Sequence, residues 1–291
     1  MRNNFKERVK IYLELSKIRI MLPVSLTGFC GYFIFDPGFS VAIIMVSLGI
    51  LLQAMSASIL NQLQEVSLDY KMNRTHNRPL PAQKISKTNA AVSFIITLIT
   101  GTGLIYLFGN TASALIGLFT ILWYNGVYTY SKRISAFAVV PGSLTGALPP
   151  FIGWVAAGGD IMDRTIVFVG FLLFIGQVPH FWLLILKYGE EYEKAGIPSL
   201  TKVLSRPQIN RLTFTWVVVS VISALFLCFF EIIHSRIIIG LLLIASFYLV
   251  WLFKDMILLI ENKINFRRNF IFLNSYFLLV IIFLIVDKMI I

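Results

Sequence analysis

Three side chains carrying oxygen donors stand four residues apart in this chain: Asn61, Glu65 and Asp69, within NQLQEVSLDYKMNRTHNRPLP. On an α-helix, four residues advance by about 400°, so the three form a slanted stripe on one face. An amide oxygen and two carboxylates make an all-oxygen set suited to a hard cation such as Mg2+, which keeps some waters and shares its other positions with phosphate. Arg74 and Arg78 follow, and guanidinium groups fork onto phosphate oxygens. A second acidic run, KYGEEYEKAGIPSL, places Glu190, Glu191 and Glu193 beside Lys187 and Lys194. Read singly, each run is a set of interfacial carboxylates paired with nearby cations. Read together, they describe a site for magnesium and a diphosphate.

The elements that must carry these residues are set by composition. The chain has 291 residues, of which 57% are hydrophobic and 13% charged, and its mean hydropathy is +0.81. That is more apolar surface than a soluble domain can bury, so the chain reads as a polytopic membrane protein. Nine apolar segments are long enough to span: 18–35, 40–66, 89–108, 111–130, 135–157, 164–187, 210–231, 236–255 and 269–287. Alternating the connections puts 22 of the 25 Lys and Arg on one face and leaves Arg164, Arg236 and Lys288 for the other. The basic face is the cytoplasmic one, so the N-terminus is inside and the C-terminus outside. The net charge of +11 therefore reports orientation in a bilayer and not nucleic-acid binding.

The expected fold is an all-α membrane bundle of nine transmembrane helices around a central cavity that opens near the cytoplasmic side. It forms one domain over 1–291, with an amphipathic N-terminal segment at 1–17 and cytoplasmic cap loops at 67–88 and 188–209. The first residues, MRNNFKERVKIYLELSKIR, have no small-residue cleavage site after a short apolar core, which reads as an uncleaved cytoplasmic segment of a plasma-membrane protein. Cys30 and Cys228 lie inside apolar runs with no metal-type spacing between them. A substrate with a diphosphate head and a hydrocarbon tail fits such a site, and a polyprenyl diphosphate has both. Metal and arginines would neutralise the departing diphosphate, while an apolar cavity shields the allylic cation from water.

The first acidic stripe resembles the aspartate-rich motif of the UbiA superfamily of intramembrane prenyltransferases, and within it most resembles the protoheme IX farnesyltransferases. Asn61, Asp69, Met72, Arg74, Thr75, Arg78, Pro79 and Leu80 match that motif. YTYSKR, GALPPFIGWVAAGG, GQVPHFW and YGEEYEKAGIP look like further landmarks in the same order. Glu65 stands where the family usually has Asp, Ser67 replaces a frequent acid, Ala195 occupies the place of a second acid, and KIRI departs from Lys-Pro-Arg.

The resemblance implies that Asn61, Glu65, Asp69 and Glu191 hold magnesium and carry catalysis, and that Arg74, Arg78, Lys132 and Lys187 bind diphosphate. It implies that Asn61, His180 and Tyr188 contact substrate. It also implies farnesyl transfer to a vinyl group of heme B, with heme as substrate and not as retained cofactor, alongside partners in the pathway that supplies heme to oxidases. Other acceptors (an aromatic acid, a quinone precursor or a glycerol phosphate) stay open, as does a non-enzymatic transporter, since intramembrane carboxylates also mark ion pathways.

Several residues carry two readings. His180, after Pro179, is either a helix-to-helix hydrogen bond or a heme contact. His76 reads as ordering its loop, and His234 is given no role. Pro149 and Pro150 are expected to break the fifth span and shape the cavity. Phe151, Trp154, Phe181 and Trp182 either flank a cation or porphyrin, or simply pack.

Overall fold

A computed structural model describes residues 2–258 and 264–290, with side chains from Phe5 onward; Lys263 and the side chain of Arg2, both assigned to the basic face, lie outside the described residues. Among these residues the chain is entirely helical: α1 (Arg2–Leu15), α2 (Ile18–Phe35), α3 (Val41–Tyr70), α4 (Lys87–Phe108), α5 (Thr111–Leu122), a π-helical turn (Trp123–Tyr128), α6 (Thr129–Ser131), α7 (Val139–Ala156), α8 (Arg164–Lys194), α9 (Leu200–Val203), α10 (Arg206–Phe229), α11 (Arg236–Ile257) and α12 (Phe266–Ile290). Eight of these are long and apolar enough to cross a membrane. The remaining apolar segment is divided: α5 runs without a break into the π turn and then α6.

Helix starts follow local chemistry. The Ser40 hydroxyl accepts from Ile43 N at the head of α3, and the Asp163 carboxylate from Thr165 N at the head of α8. Each satisfies a backbone donor that the first turn leaves unpaired. Many side chains are apolar all round the long helices and stay exposed, such as Ile96, Ile99, Ile244 and Phe247, as expected where lipid is the solvent.

Packing closes the bundle on itself. α3 lies against α2 and α4, α2 against α7, α7 against α8, and α8 against α10. α12 packs on both α8 and α2, so the last long helix meets the first spanning one. The α2–α7 crossing is tight enough to require glycine. A Cβ on Gly31 would stand 2.0 Å from the Pro150 carbonyl oxygen, and one on Gly153 only 1.9 Å from the Gly28 oxygen. Small residues that let backbones touch are a common solution where lipid gives helices no hydrophobic reason to associate.

Two expectations about shape are corrected. Pro149 and Pro150 do not break their helix, since α7 runs through both from Val139 to Ala156. The missing N–H donors are tolerated because packing on α2 holds the segment, and the Pro150 carbonyl sits at that contact. The second cap is also mostly helix. α8 continues to Lys194 and α10 begins at Arg206, leaving only 195–205 with the short α9 between them. Residues 188–194 stay helical because α8 remains one continuous rod beyond its apolar part. In the first cap, likewise, α3 persists to Tyr70, so the connection is 71–86.

Candidate active site

The stripe forms as the spacing requires. Asn61, Glu65 and Asp69 face inward from the end of α3 and are 2%, 5% and 1% exposed. A buried carboxylate costs several kcal/mol unless paired, by order of magnitude, and each one here has a cation. Arg78 Nη1 donates to both oxygens of Asp69 at 2.7 Å. Lys132 forms an ion pair with Glu65 Oε1. Asn61 Nδ2 donates to Glu65 Oε2 at 3.0 Å and to Thr129 Oγ1 at 3.2 Å, while its Oδ1 accepts from Lys17 Nζ at 3.3 Å.

The π turn supplies the facing wall. Asn125 Nδ2 donates to the Ala57 carbonyl and to Gln64 Oε1 on α3, and Thr129 Oγ1 donates to the Tyr124 carbonyl. These bonds fasten the turn to the acidic helix and aim Thr129 and Lys132 at the stripe. Wide π turns inside helices often coincide with functional positions. Lys17 stands between α1 and α2 in a left-handed conformation with φ 51°. Burial pushes its ammonium down to about 7; Arg78 and Lys132 push the same way, while Glu65 and Asp69 oppose them.

The second acidic run arrives through the 71–86 connection. Thr75 Oγ1 donates to the Asp69 carbonyl at 2.9 Å, folding the chain back over the end of α3. Arg74 N then donates to Glu191 Oε2 at 3.2 Å, and its Nη2 to the Tyr192 hydroxyl at 3.0 Å. The Arg74 guanidinium lies 5.0 Å from the Tyr188 ring centroid, with Lys187 Nζ at 4.9 Å from the same ring. Met72 is buried and clusters with Ala195 and Ile197. The two acidic helix ends thus meet at one end of the bundle, bridged by a single short loop.

Beside them opens a cavity lined by Tyr128, Lys132 and Val139 on one wall and by Phe181, Ile185 and Tyr192 on the other. Among the described residues, Lys132 is the one charged residue on its lining, set among apolar and aromatic side chains, an arrangement that matches an amphiphile with an anionic head. Of the four aromatics weighed from sequence, only Phe181 lines it. Trp154 donates to the Asp160 carbonyl, Trp182 packs edge-on to Trp216, and Phe151 lies against Gly170. His180 Nδ1 is 2.8 Å from Asn274 Oδ1. His234 joins the buried Asp287 at the other end of the bundle, where both His234 N and Ser235 N donate to that carboxylate.

Some residues escaped the sequence reading. His76 is exposed, and the loop is ordered instead by the buried Thr75. Lys17, Thr129 and Tyr192 touch the site yet were given no role from sequence, although they stand in the KIRI, YTYSKR and YGEEYEKAGIP stretches. Glu190 is exposed beside Arg206, and Glu193 accepts from the Thr201 hydroxyl, so neither bonds to the 71–86 connection.

A divalent ion suits this donor set. Among the described residues no three His, Cys, Asp or Glu side chains stand together as a metal-holding group; the oxygen donors that could serve are Glu65, Asp69 and the Asn61 amide on α3 and Glu191 on α8. Two of those carboxylates are now held by protein cations, Asp69 by Arg78 and Glu65 by Lys132.

The family model described as the UbiA prenyltransferase family matches residues 23–276. A protoheme IX farnesyltransferase of Legionella pneumophila (strain Paris) is 32% identical over 295 residues, covering 99% of this chain and 99% of that protein. One from Geobacter sulfurreducens is 35% identical over 190 residues, which is 65% of this chain and 70% of the relative. Among solved structures, a digeranylgeranylglyceryl phosphate synthase superposes with a TM-score of 0.77 at 20% identity, covering 98% of this chain and 100% of that one. A UbiA homolog from Archaeoglobus fulgidus bound to GPP and Mg2+ gives 0.70 at 15% identity, covering 96% and 98%. At these identities the two structures speak to the fold.

Proposed function

This chain belongs to the UbiA prenyltransferase family, and from that premise we propose that it transfers a farnesyl group from farnesyl diphosphate to a vinyl group of heme B, giving heme O. The observation that carries the reading is the joining of the α3 and α8 ends over an apolar cavity, through Asp69 with Arg78 and Glu191 with Arg74. Relatives matching the whole chain and named protoheme IX farnesyltransferase support heme as the acceptor.

Arg74, Arg78, Lys132 and Lys187 hold the diphosphate oxygens, and Asn61, Glu65, Asp69 and Glu191 hold the metal. Magnesium, when bound, supplies charge neutralisation to the leaving diphosphate. The prenyl chain lies between Tyr128, Phe181 and Ile185, whose faces exclude water and favour the allylic cation. The allylic C–O bond breaks, the vinyl group forms the new C–C bond, and water completes the hydroxyethylfarnesyl substituent with loss of a proton. The 71–86 connection and residues 188–209 cap the site during that sequence. Tyr188 and His180 contact substrate.

The same reading includes a topology. α5, the π turn and α6 together make a ninth crossing, since 21 helical residues rise about 31 Å. With 22 of 25 Lys and Arg on the side of the acidic ends, the mouth faces the cytoplasm of a plasma membrane, the N-terminus is inside and the C-terminus outside. The product passes to enzymes that supply heme to oxidases.

Purified protein given magnesium, farnesyl diphosphate and a choice of heme B, an aromatic acid or a glycerol phosphate tests the proposal. Mass spectrometry should find farnesylated heme. Prenylation of the aromatic acid or glycerol phosphate alone ends it.

A further inference from the structure

His180 lies on α8 one turn before Leu184, a cavity-lining residue, and is only partly buried. Its partner Asn274 belongs to α12, the helix that closes the bundle. The hydrogen bonds around this pair fix their own direction. Asn274 Nδ2 lies 2.6 Å from the Phe270 carbonyl oxygen, which only accepts, so the amide nitrogen must face it. That turns Asn274 Oδ1, another pure acceptor, toward His180 Nδ1 at 2.8 Å. The imidazole must therefore carry its proton on Nδ1, and a neutral ring then presents Nε2 as a bare lone pair. Among the described residues Nε2 has no hydrogen-bond partner. The ring is also wedged in place, 4.7 Å from Phe270 and edge-on to Phe181 at 5.5 Å between centroids.

Beyond joining α8 to α12, this bond leaves Nε2 open. A protonated Nδ1 held by a carbonyl oxygen, with Nε2 left open, is the arrangement by which proteins present imidazole to a metal. No other metal-binding group accompanies it: among the described residues no cluster of His, Cys, Asp or Glu could hold a free ion. A lone imidazole suits a metal already held by a macrocycle.

We propose that Asn274 is a positioning residue that locks the His180 tautomer, so that His180 Nε2 ligates the iron of the porphyrin acceptor and fixes the plane and depth at which the macrocycle meets the prenyl donor. The inference rests on heme being the acceptor. One axial bond determines the plane and depth of the porphyrin, and the reacting vinyl group must come within about 3.5 Å of the allylic carbon.

The test titrates detergent-purified full-length protein with iron protoporphyrin IX and, separately, with metal-free protoporphyrin IX, following the Soret and visible bands. The natural protein should give an imidazole-ligated spectrum and prefer the iron form, and His180→Ala should lose both. Asn274→Leu, close in volume but without the acceptor, should weaken iron-porphyrin binding by about 10- to 100-fold while leaving metal-free porphyrin and farnesyl diphosphate binding unchanged. Asn274→Asp, which keeps an acceptor toward Nδ1 but sets its other oxygen against the Phe270 carbonyl, should ligate iron more weakly than the natural protein and more strongly than Asn274→Leu. An Asn274→Leu protein with unaltered iron spectrum and affinity overturns the proposal, and so does an equal loss for both porphyrins, which marks a role in packing alone. If the natural protein farnesylates heme B while His180→Ala keeps the same spectrum, only this inference fails. If it neither binds nor farnesylates heme, the acceptor reading fails with it.

Discussion

The two acidic helix ends look alike in sequence and are built differently. At the end of α3 every carboxylate is buried and matched to its own cation: Asp69 to Arg78, and Glu65 to Lys132. At the end of α8 the three glutamates divide the work. Glu191 takes the Arg74 amide, Glu193 accepts from Thr201, and the Glu190 side chain is 79% exposed beside Arg206. Burying charge is costly enough that it persists where something needs it, whereas exposed pairs contribute little. Acidic content therefore does not mark a site by itself; the burial of matched charge does.

This contrast breaks most easily at Asp69. Asp69→Asn keeps shape and removes one unit of charge from the metal set. The expected result is a fall in farnesyl transfer of about 1,000-fold, or roughly 4 kcal/mol. Turnover within a few-fold of the natural protein would detach the stripe from catalysis. Arg78→Ala comes next. It leaves a carboxylate that is 2% exposed without its partner, so thermal stability in detergent should fall, on the order of 3 kcal/mol. The apparent KM for the prenyl diphosphate should also rise. Magnesium should recover part of the lost melting temperature, because the ion takes over the unpaired charge; a melting temperature indifferent to magnesium would argue that Asp69 binds no metal.

Glu191→Gln probes the other helix end at the acid that holds the 71–86 connection. The amide can still accept from Arg74 N, so the loop should stay in place, and only the charge is lost. Magnesium dependence should shift about 10- to 100-fold, readable as the concentration giving half-maximal activity. An unshifted magnesium curve would confine metal binding to α3.

How much of this was legible beforehand depends on the kind of signal. Eight of the nine expected spans and the stripe were, because apolar length and four-residue spacing are local properties of one helix: Asn61, Glu65 and Asp69 share a face whatever surrounds them. Three-dimensional pairings were not. Nothing near Lys17 in sequence points to Asn61, and Asn274 sits in an apolar run with no neighbour to announce His180. Prolines misled for a related reason. Pro149 and Pro150 break isolated helices, but packing against Gly28 and Gly31 holds α7 straight through them. The length of α8 was underestimated because charge at 187–194 looked like loop, when the helix simply outlasts its apolar stretch.

The smallest effect belongs to Glu190, and it sharpens the comparison most. Its partner Arg206 is 3.4 Å away, and both side chains are largely open to solvent, 79% and 63% exposed. Such a pair is worth about 0–1 kcal/mol and is screened by salt. Glu190→Gln should leave transfer rate, magnesium dependence and melting temperature close to those of the natural protein, although it removes the same charge from the same helix as Glu191→Gln, one residue away. On a helix, adjacent residues point about 100° apart, so a difference between these two variants isolates direction from composition. If both variants shift the magnesium curve equally, the α8 cluster acts as a diffuse negative field and not through one aimed carboxylate, and raising the ionic strength should then erase the effect of either.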